Sequence, residues 1–282
     1  MRTAIATCIA AVLFVSRIDA ASAGDWSGFR GPNNSGIGEG EKIPLKWSNK
    51  ENLQWKTKLP GPGSSSPITV GDKVFVTCYS GYGESRNNLG IQDNLKRHLV
   101  CIDQKSGEIL WDKAVKSTVR EDRFSGIGIP QHGYSSSTPV SDGENVYVFF
   151  GKTGVLAFDL KGNQLWETSV GTGSGPRSFG SSASPILYKN MVIINAAEES
   201  ESLVALNKKT GEEVWKVEAS ALVGSWSTPI LVETNEGNQE LVINAPYEVW
   251  GMNPETGKLL WYAEAIPRSP INPTLVAENG IV

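Results

Sequence analysis

The feature that most constrains this chain is a repeated interval, a Gly followed four residues later by a Trp, met four times. The copies are residues 99–111 with Gly107 and Trp111, 155–166 with Gly162 and Trp166, 203–215 with Gly211 and Trp215, and 249–261 with Gly257 and Trp261. Asp103, Asn207 and Asn253 stand four residues before their Gly, and Asp159 stands three before its own. Asp and Asn side chains close turns on their own backbone, and Gly supplies the positive φ of a tight hairpin. Each copy therefore reads strand, turn, strand.

A second motif precedes each copy. Ser66-Pro67, Thr138-Pro139, Ser184-Pro185 and Thr228-Pro229 each open a short apolar stretch. A β-branched or aromatic run follows at 74–78, 146–150 and 192–195, and at 241–245 after a longer loop over 233–239. The unit is four strands, and its period from Pro139 through Pro185 and Pro229 to Pro273 is 44 to 46 residues. That is the length and strand content of a propeller blade. The expected fold is all-β, a β-propeller of four-stranded antiparallel blades. A sheet this thin cannot bury both faces alone. Trp111, Trp166, Trp215 and Trp261, with Trp55 ahead of the first unit, are therefore read as docking residues wedged against the next blade, not as ligand-stacking rings.

These motifs resemble the tryptophan-docking repeats of the pyrroloquinoline-quinone-like (PQQ-like) propeller superfamily, from about residue 52 to the end. The segment Asp25-Trp26 to Gly31-Pro32 is similar to the N-terminal lead of secreted members. The resemblance implies a ring of six to eight blades. Here about four complete blades are legible, and a fifth begins at Asn272-Pro273-Thr274, so the chain is expected to be incomplete at its C-terminus. The superfamily includes quinoprotein dehydrogenases and non-catalytic propellers such as the lipoprotein of the outer-membrane β-barrel assembly machinery. Quinoprotein members would bring PQQ and Ca²⁺, but they carry a vicinal Cys-Cys pair, and Cys78 and Cys101 are far apart.

Residues 1–23 read as a cleavable signal: Arg2, a short apolar run at 4–15 and the small residues Ala21-Ser22-Ala23. The run is too short to span a bilayer, and no later segment is long enough. Residues 24–51 form the lead and 52–282 the propeller. A periplasmic or secreted location follows, where Cys78 and Cys101 have two open fates, a disulfide or two buried thiols. The formal net charge is −4. Scattered Lys and Arg on an acidic chain lack the footprint of a nucleic-acid binder.

Loops on a rigid scaffold commonly carry function. The two longest connections of the first blade, 79–96 and 116–137, should crowd one face. That face offers Arg120, Arg123, His132 and Tyr134, with Arg177, Trp226 and Arg268 in later crossings, as candidate contacts to a ligand or partner. With only two His in the chain, a His-based metal cluster is not expected. No nucleophile constellation is legible. The Ser runs 64–66 and 135–137 recur at equivalent positions, which argues for packing. A non-catalytic binding or scaffold module of the envelope, contacting an envelope protein or a small-molecule or glycan ligand, is the leading expectation. The alternatives are a PQQ- and Ca²⁺-dependent alcohol or sugar dehydrogenase, and a polysaccharide-binding propeller using Tyr134 and Trp226 as platforms.

Overall fold

The computed structural model describes residues 25–38, 44–265 and 269–282. The signal segment 1–23 and the candidate Arg268 lie outside the described residues.

The repeats fold into successive four-stranded antiparallel sheets. The first holds β1 (Ile68–Val70) and β2 (Lys73–Ser80). A hairpin of β3 (Tyr82–Ser85) and β4 (Asn88–Gly90) is inserted before β5 (Lys96–Asp103) and β6 (Ile109–Lys116) complete it. The second runs β7 (Val140–Ser141), β8 (Asn145–Phe149), β9 (Val155–Asp159), β10 (Gln164–Thr168). The third runs β11 (Ile186–Tyr188), β12 (Met191–Ala196), β13 (Ser202–Asn207), β14 (Glu213–Glu218). The fourth runs β15 (Ile230–Glu233), β16 (Gln239–Ala245), β17 (Glu248–Met252), β18 (Leu259–Glu264). Two one-turn helices, α1 (Ile129–His132) and α2 (Ala197–Ser200), lie in loops.

The middle strands are apolar at consecutive positions because both faces are covered. In β12 every residue is buried. Val192 and Ile194 face the second sheet with Tyr147, Phe149 and Ala157. Ile193 faces the fourth with Leu241 and Ile243. A separate seam joins Phe75, Leu99 and Cys101 of the first sheet to Val146, Val148 and Phe158 of the second.

The Gly–Trp interval spans two seams. Trp55, Trp111, Trp166 and Trp215 donate their indole N–H to the carbonyls of Gln104, Leu160, Lys208 and Pro254, at 2.8, 3.2, 2.9 and 3.1 Å. Each acceptor directly follows the Asp or Asn of the next unit's turn. Asp103 Oδ1, for example, accepts the amides of Lys105 and Ser106. The next unit's Gly lies under the ring: a Cβ on Gly107, Gly162, Gly211 or Gly257 would come within 2.6, 2.9, 2.6 or 2.8 Å of the preceding unit's indole. Positive φ and ring contact thus require Gly together. Trp261 has no such partner among the described residues. It is 37% exposed and bonds Glu240 of its own sheet.

The Ser/Thr-Pro motif builds a second series of contacts between successive units. The amides of Ser66, Thr138 and Ser184 donate to the hydroxyls of Thr138, Ser184 and Thr228 at 3.0, 3.0 and 2.9 Å. Thr228 continues the series to Thr274 at 3.1 Å. Residues 53–66 join no sheet, so the segment that carries Trp55 contributes its ring but no strand. The start of the expected fifth blade likewise forms bridges only, Ile271 pairing with Ser225.

Cys78 and Cys101 are both free, which resolves the open question against a disulfide. Cys101 stands opposite Phe75 and Cys78 opposite His98 on adjacent strands. Side chains alternate between faces, so Cys101 enters the seam with the second sheet, while Cys78 lies on the other face with Val74 and Val100. Burial pushes the thiols up to about 11 for Cys78 and about 12 for Cys101.

Candidate functional site

The connection from β2 to β5 and the crossing from β6 to β7 come together on one end of the sheets, packing Tyr79, Leu95, Phe124, Ile129 and Tyr134 into a small core. The β8–β9 loop (151–154), α2 and the crossing 169–185 meet them there around a buried chamber.

The chamber is lined by charge. Arg97 Nη1 bonds Glu121 Oε1 at 2.8 Å and Thr153 Oγ1 at 2.9 Å, and its Nε donates to the Tyr134 carbonyl at 2.8 Å. The Arg97 and Glu121 side chains are 4% and 5% exposed. Ser117 also donates to Glu121. Lys152 reaches Asp122 at 3.0 Å, and Ser174 bonds both. Glu198 and Glu199 project from α2. Glu199 accepts from Ser181, and Glu198 Oε1 accepts the Gly224 amide at 3.3 Å, yet Oε2 of each is buried without a partner. Burial raises the Glu198 carboxyl above its usual range and pushes Glu199 up to about 8. A protonated Glu199 fits an unpartnered buried oxygen better than a carboxylate would. The free volume is about 20 Å³, room for one water.

The loop residues singled out from sequence divide into two groups. His132, Tyr134 and Trp226 are spent on the fold. His132 Nε2–H donates to the Phe179 carbonyl while Nδ1 accepts from Ser136, both at 2.7 Å, and burial lowers its pKa. Tyr134 is 6% exposed, packs among Tyr79, Tyr82 and Phe124, and gives its hydroxyl proton to the Asp122 carbonyl. Trp226 is 8% exposed, stacks on Phe179 and donates to the Gly180 carbonyl. Neither aromatic presents a face to a sugar ring, which removes the expected stacking platforms. Arg120, Arg123 and Arg177 form the second group. All three are exposed and line one open groove of about 530 Å³, with Asp122 and Lys152 at its floor.

Sequence reasoning missed Arg97, Glu121, Asp122, Lys152, Glu198 and Glu199. The signal available was position: Lys152 and Glu198-Glu199 occupy the same strand-two-to-three loop of successive units. It also missed a constellation of nucleophile type. Ser80 Oγ lies 2.8 Å from His98 Nε2, and His98 Nδ1–H donates to Asp112 at 2.8 Å. This has the connectivity of a nucleophile, base and orienting carboxylate. The next amide, Gly81 N–H, is held by Glu84 at 2.6 Å and so does not offer an oxyanion donor. None of the five main cavities reaches Ser80. The three residues tie β2, β5 and β6 together.

PQQ carries several carboxylates and Ca²⁺ needs a set of oxygen donors. The chamber does not fit them: its cations are already paired, Glu198 and Glu199 offer the PQQ carboxylates no positive charge, and its volume admits about one water. Among the described residues no group of three or more His, Cys, Asp or Glu side chains is placed to hold a metal ion.

A family model described as outer membrane protein assembly factor BamB matches residues 45–176 and 193–279. The tetrathionate hydrolase of Acidithiobacillus ferrooxidans is 25% identical over 219 residues, covering 73% of this chain and 38% of that protein. Among solved structures, the quinohemoprotein alcohol dehydrogenase of Comamonas testosteroni superposes with a TM-score of 0.60 at 15% identity, covering 89% of this chain and 42% of that one. A europium-containing methanol dehydrogenase superposes at 0.56 with 13% identity, over 86% and 49%. At that identity the structural likeness concerns the propeller fold alone. The chain spans about two-fifths of its curated relative's length.

Proposed function

The chain belongs to the PQQ-like repeat family described as outer membrane protein assembly factor BamB, and from that premise we propose that it is a non-catalytic binding or scaffold module of the cell envelope. The observation that carries this reading is the state of the loop face. The buried ionisable groups there are engaged with one another or line a chamber for about one water, while open grooves lie beside them with arginines that form no ion pair among the described residues. Such a face can hold a partner or ligand but does not position a reacting group. Residues 1–23 serve as the export signal, 24–51 as the lead and 52–282 as the propeller part of a periplasmic or secreted protein. Among the described residues no helix is long and apolar enough to cross a membrane.

The test uses full-length protein. Added PQQ and Ca²⁺ are expected to leave cofactor absorbance unchanged and to support no dye reduction with alcohols or sugars. Cross-linking in intact envelopes is expected to yield one stoichiometric protein partner. Dye reduction that saturates with PQQ would overturn the reading in favour of a quinoprotein oxidoreductase.

A further inference from the structure

We infer that the loop face carries a docking trough for an extended acidic peptide segment of another protein, held by Arg120, Arg123 and Arg177. This rests on the scaffold reading and names the partner's chemistry.

Two grooves meet at Arg120 and Glu121. One, of about 510 Å³, passes Ile91 and Lys116; the other, of about 530 Å³, passes Ile127 and Arg177. Shared walls make them one trough. Among the described residues, the guanidinium groups of Arg120, Arg123 and Arg177 take part in no ion pair. Of the carboxylates that line the trough, Glu121 is used by Arg97 and Ser117 and Asp122 by Lys152 and Ser174, while Glu198, whose carboxyl feels the Arg177 charge, is buried and lines the chamber instead. Asp93 is the one other acid lining the trough among the described residues. The trough is thus locally positive on a chain of net charge −4. Unpaired arginine forks favour carboxylates, which they bind through two parallel hydrogen bonds.

The apolar surroundings select a peptide over a small anion. Ile91 and Ile127 are each 65% exposed and stand in the two arms of the trough. A small inorganic anion would leave both in water. An extended chain sends alternate side chains to opposite faces, so acidic and aliphatic residues spaced two apart share the face that meets the arginines and both isoleucines.

The experiment measures fluorescence anisotropy of a short labelled peptide in which Glu and Leu take turns at every second position with Ser between them, titrated with full-length protein. The control is the same peptide with Lys in place of Glu. Binding of the acidic peptide alone is expected. It should weaken by at least about tenfold in Arg120→Glu/Arg123→Glu and again in Arg177→Gln, and fall as salt rises. These side chains are exposed, so the variants should keep the wild-type circular dichroism and melting curve. Ile127→Ser should weaken binding with little change in its salt dependence. Equal affinity for both peptides, or indifference to the arginine variants, overturns the proposal. So does full competition by tetrathionate or phosphate with no effect of Ile127→Ser, which would mark a small-anion site. A failed peptide titration without PQQ-dependent dye reduction sinks this inference and leaves the scaffold reading standing. Dye reduction removes the scaffold reading itself.

Discussion

At the scale of the residue, the most consequential group is Glu199. Its carboxyl is 4% exposed at most and is pushed up to about 8 by burial. A carboxyl whose pKa is higher folded than unfolded holds its proton in the native state. Its contribution to stability is complete below about 4.5 and is lost as pH rises through about 8. Glu199→Gln, which keeps the shape and carries no charge, should therefore gain on wild type between pH 5 and pH 8.5, by up to a few kcal/mol. Urea unfolding at both pH values measures the difference. An unchanged gap would show that Glu199 ionises without penalty. Gly211 is the second residue of this kind. Its φ is 73°, and a Cβ would come within 2.6 Å of the Trp166 ring. Gly211→Ala should cost at least about 2 kcal/mol from backbone strain and overpacking, read as a lower denaturation midpoint.

At the scale of the element, the sheets are joined by rings and by hydroxyls. Trp166 is 9% exposed, seals the seam between the second and third sheets and bonds the Lys208 carbonyl. Trp166→Ala should cost about 3–5 kcal/mol. Trp261 occupies the same place in its own sheet but is 37% exposed on a strand, β18, that is exposed throughout. Its removal should cost under about 1 kcal/mol in this chain. Equal losses from the two variants would sink the docking account of the repeat. The existence of these elements was legible because turn chemistry and Trp spacing are local and recur. The seam contacts were not fully legible. Gly107 and Trp111 are neighbours in sequence, yet Gly107 packs on Trp55 and Trp111 on Gly162.

At the scale of the whole molecule, the N-terminal lead crosses from unit to unit. Trp26 bridges Thr69 of the first sheet, the Ser27 carbonyl accepts the Ser141 amide of the second, and Arg30 bonds the carbonyls of Thr274 and Leu275. Between the lead, the inner strands and residues 277–280 lies a cavity of about 720 Å³, at the end opposite the loop face. Arg30→Ala removes a clamp without touching any sheet. Amide exchange at Ile271, which donates to Gly224, should quicken while exchange in β12 stays at the wild-type rate. If Ile271 exchanges no faster, the lead does not hold this segment.

The amino-acid sequence on its own determined the repeating unit, its turns, the all-β class and the family. Each rests on residue types at fixed short intervals, and a β-hairpin with its Asx turn is decided within a few residues. It also put Arg120, Arg123 and Arg177 on one face, because successive crossings of a meander emerge at the same end. Only the tertiary structure decided which of the loop residues face water. His132, Tyr134 and Trp226 have the same residue character as exposed binding groups, and the fold buries them. Arg97 of β5 and Glu121 of the crossing after β6 lie 24 residues apart, and Asp122 of that crossing and Lys152 of the β8–β9 loop lie 30 apart, so only the fold brings each pair together. Register decides the rest: a shift of one residue in β5 would turn His98 away from Ser80 and Asp112, and no local pattern encodes that register.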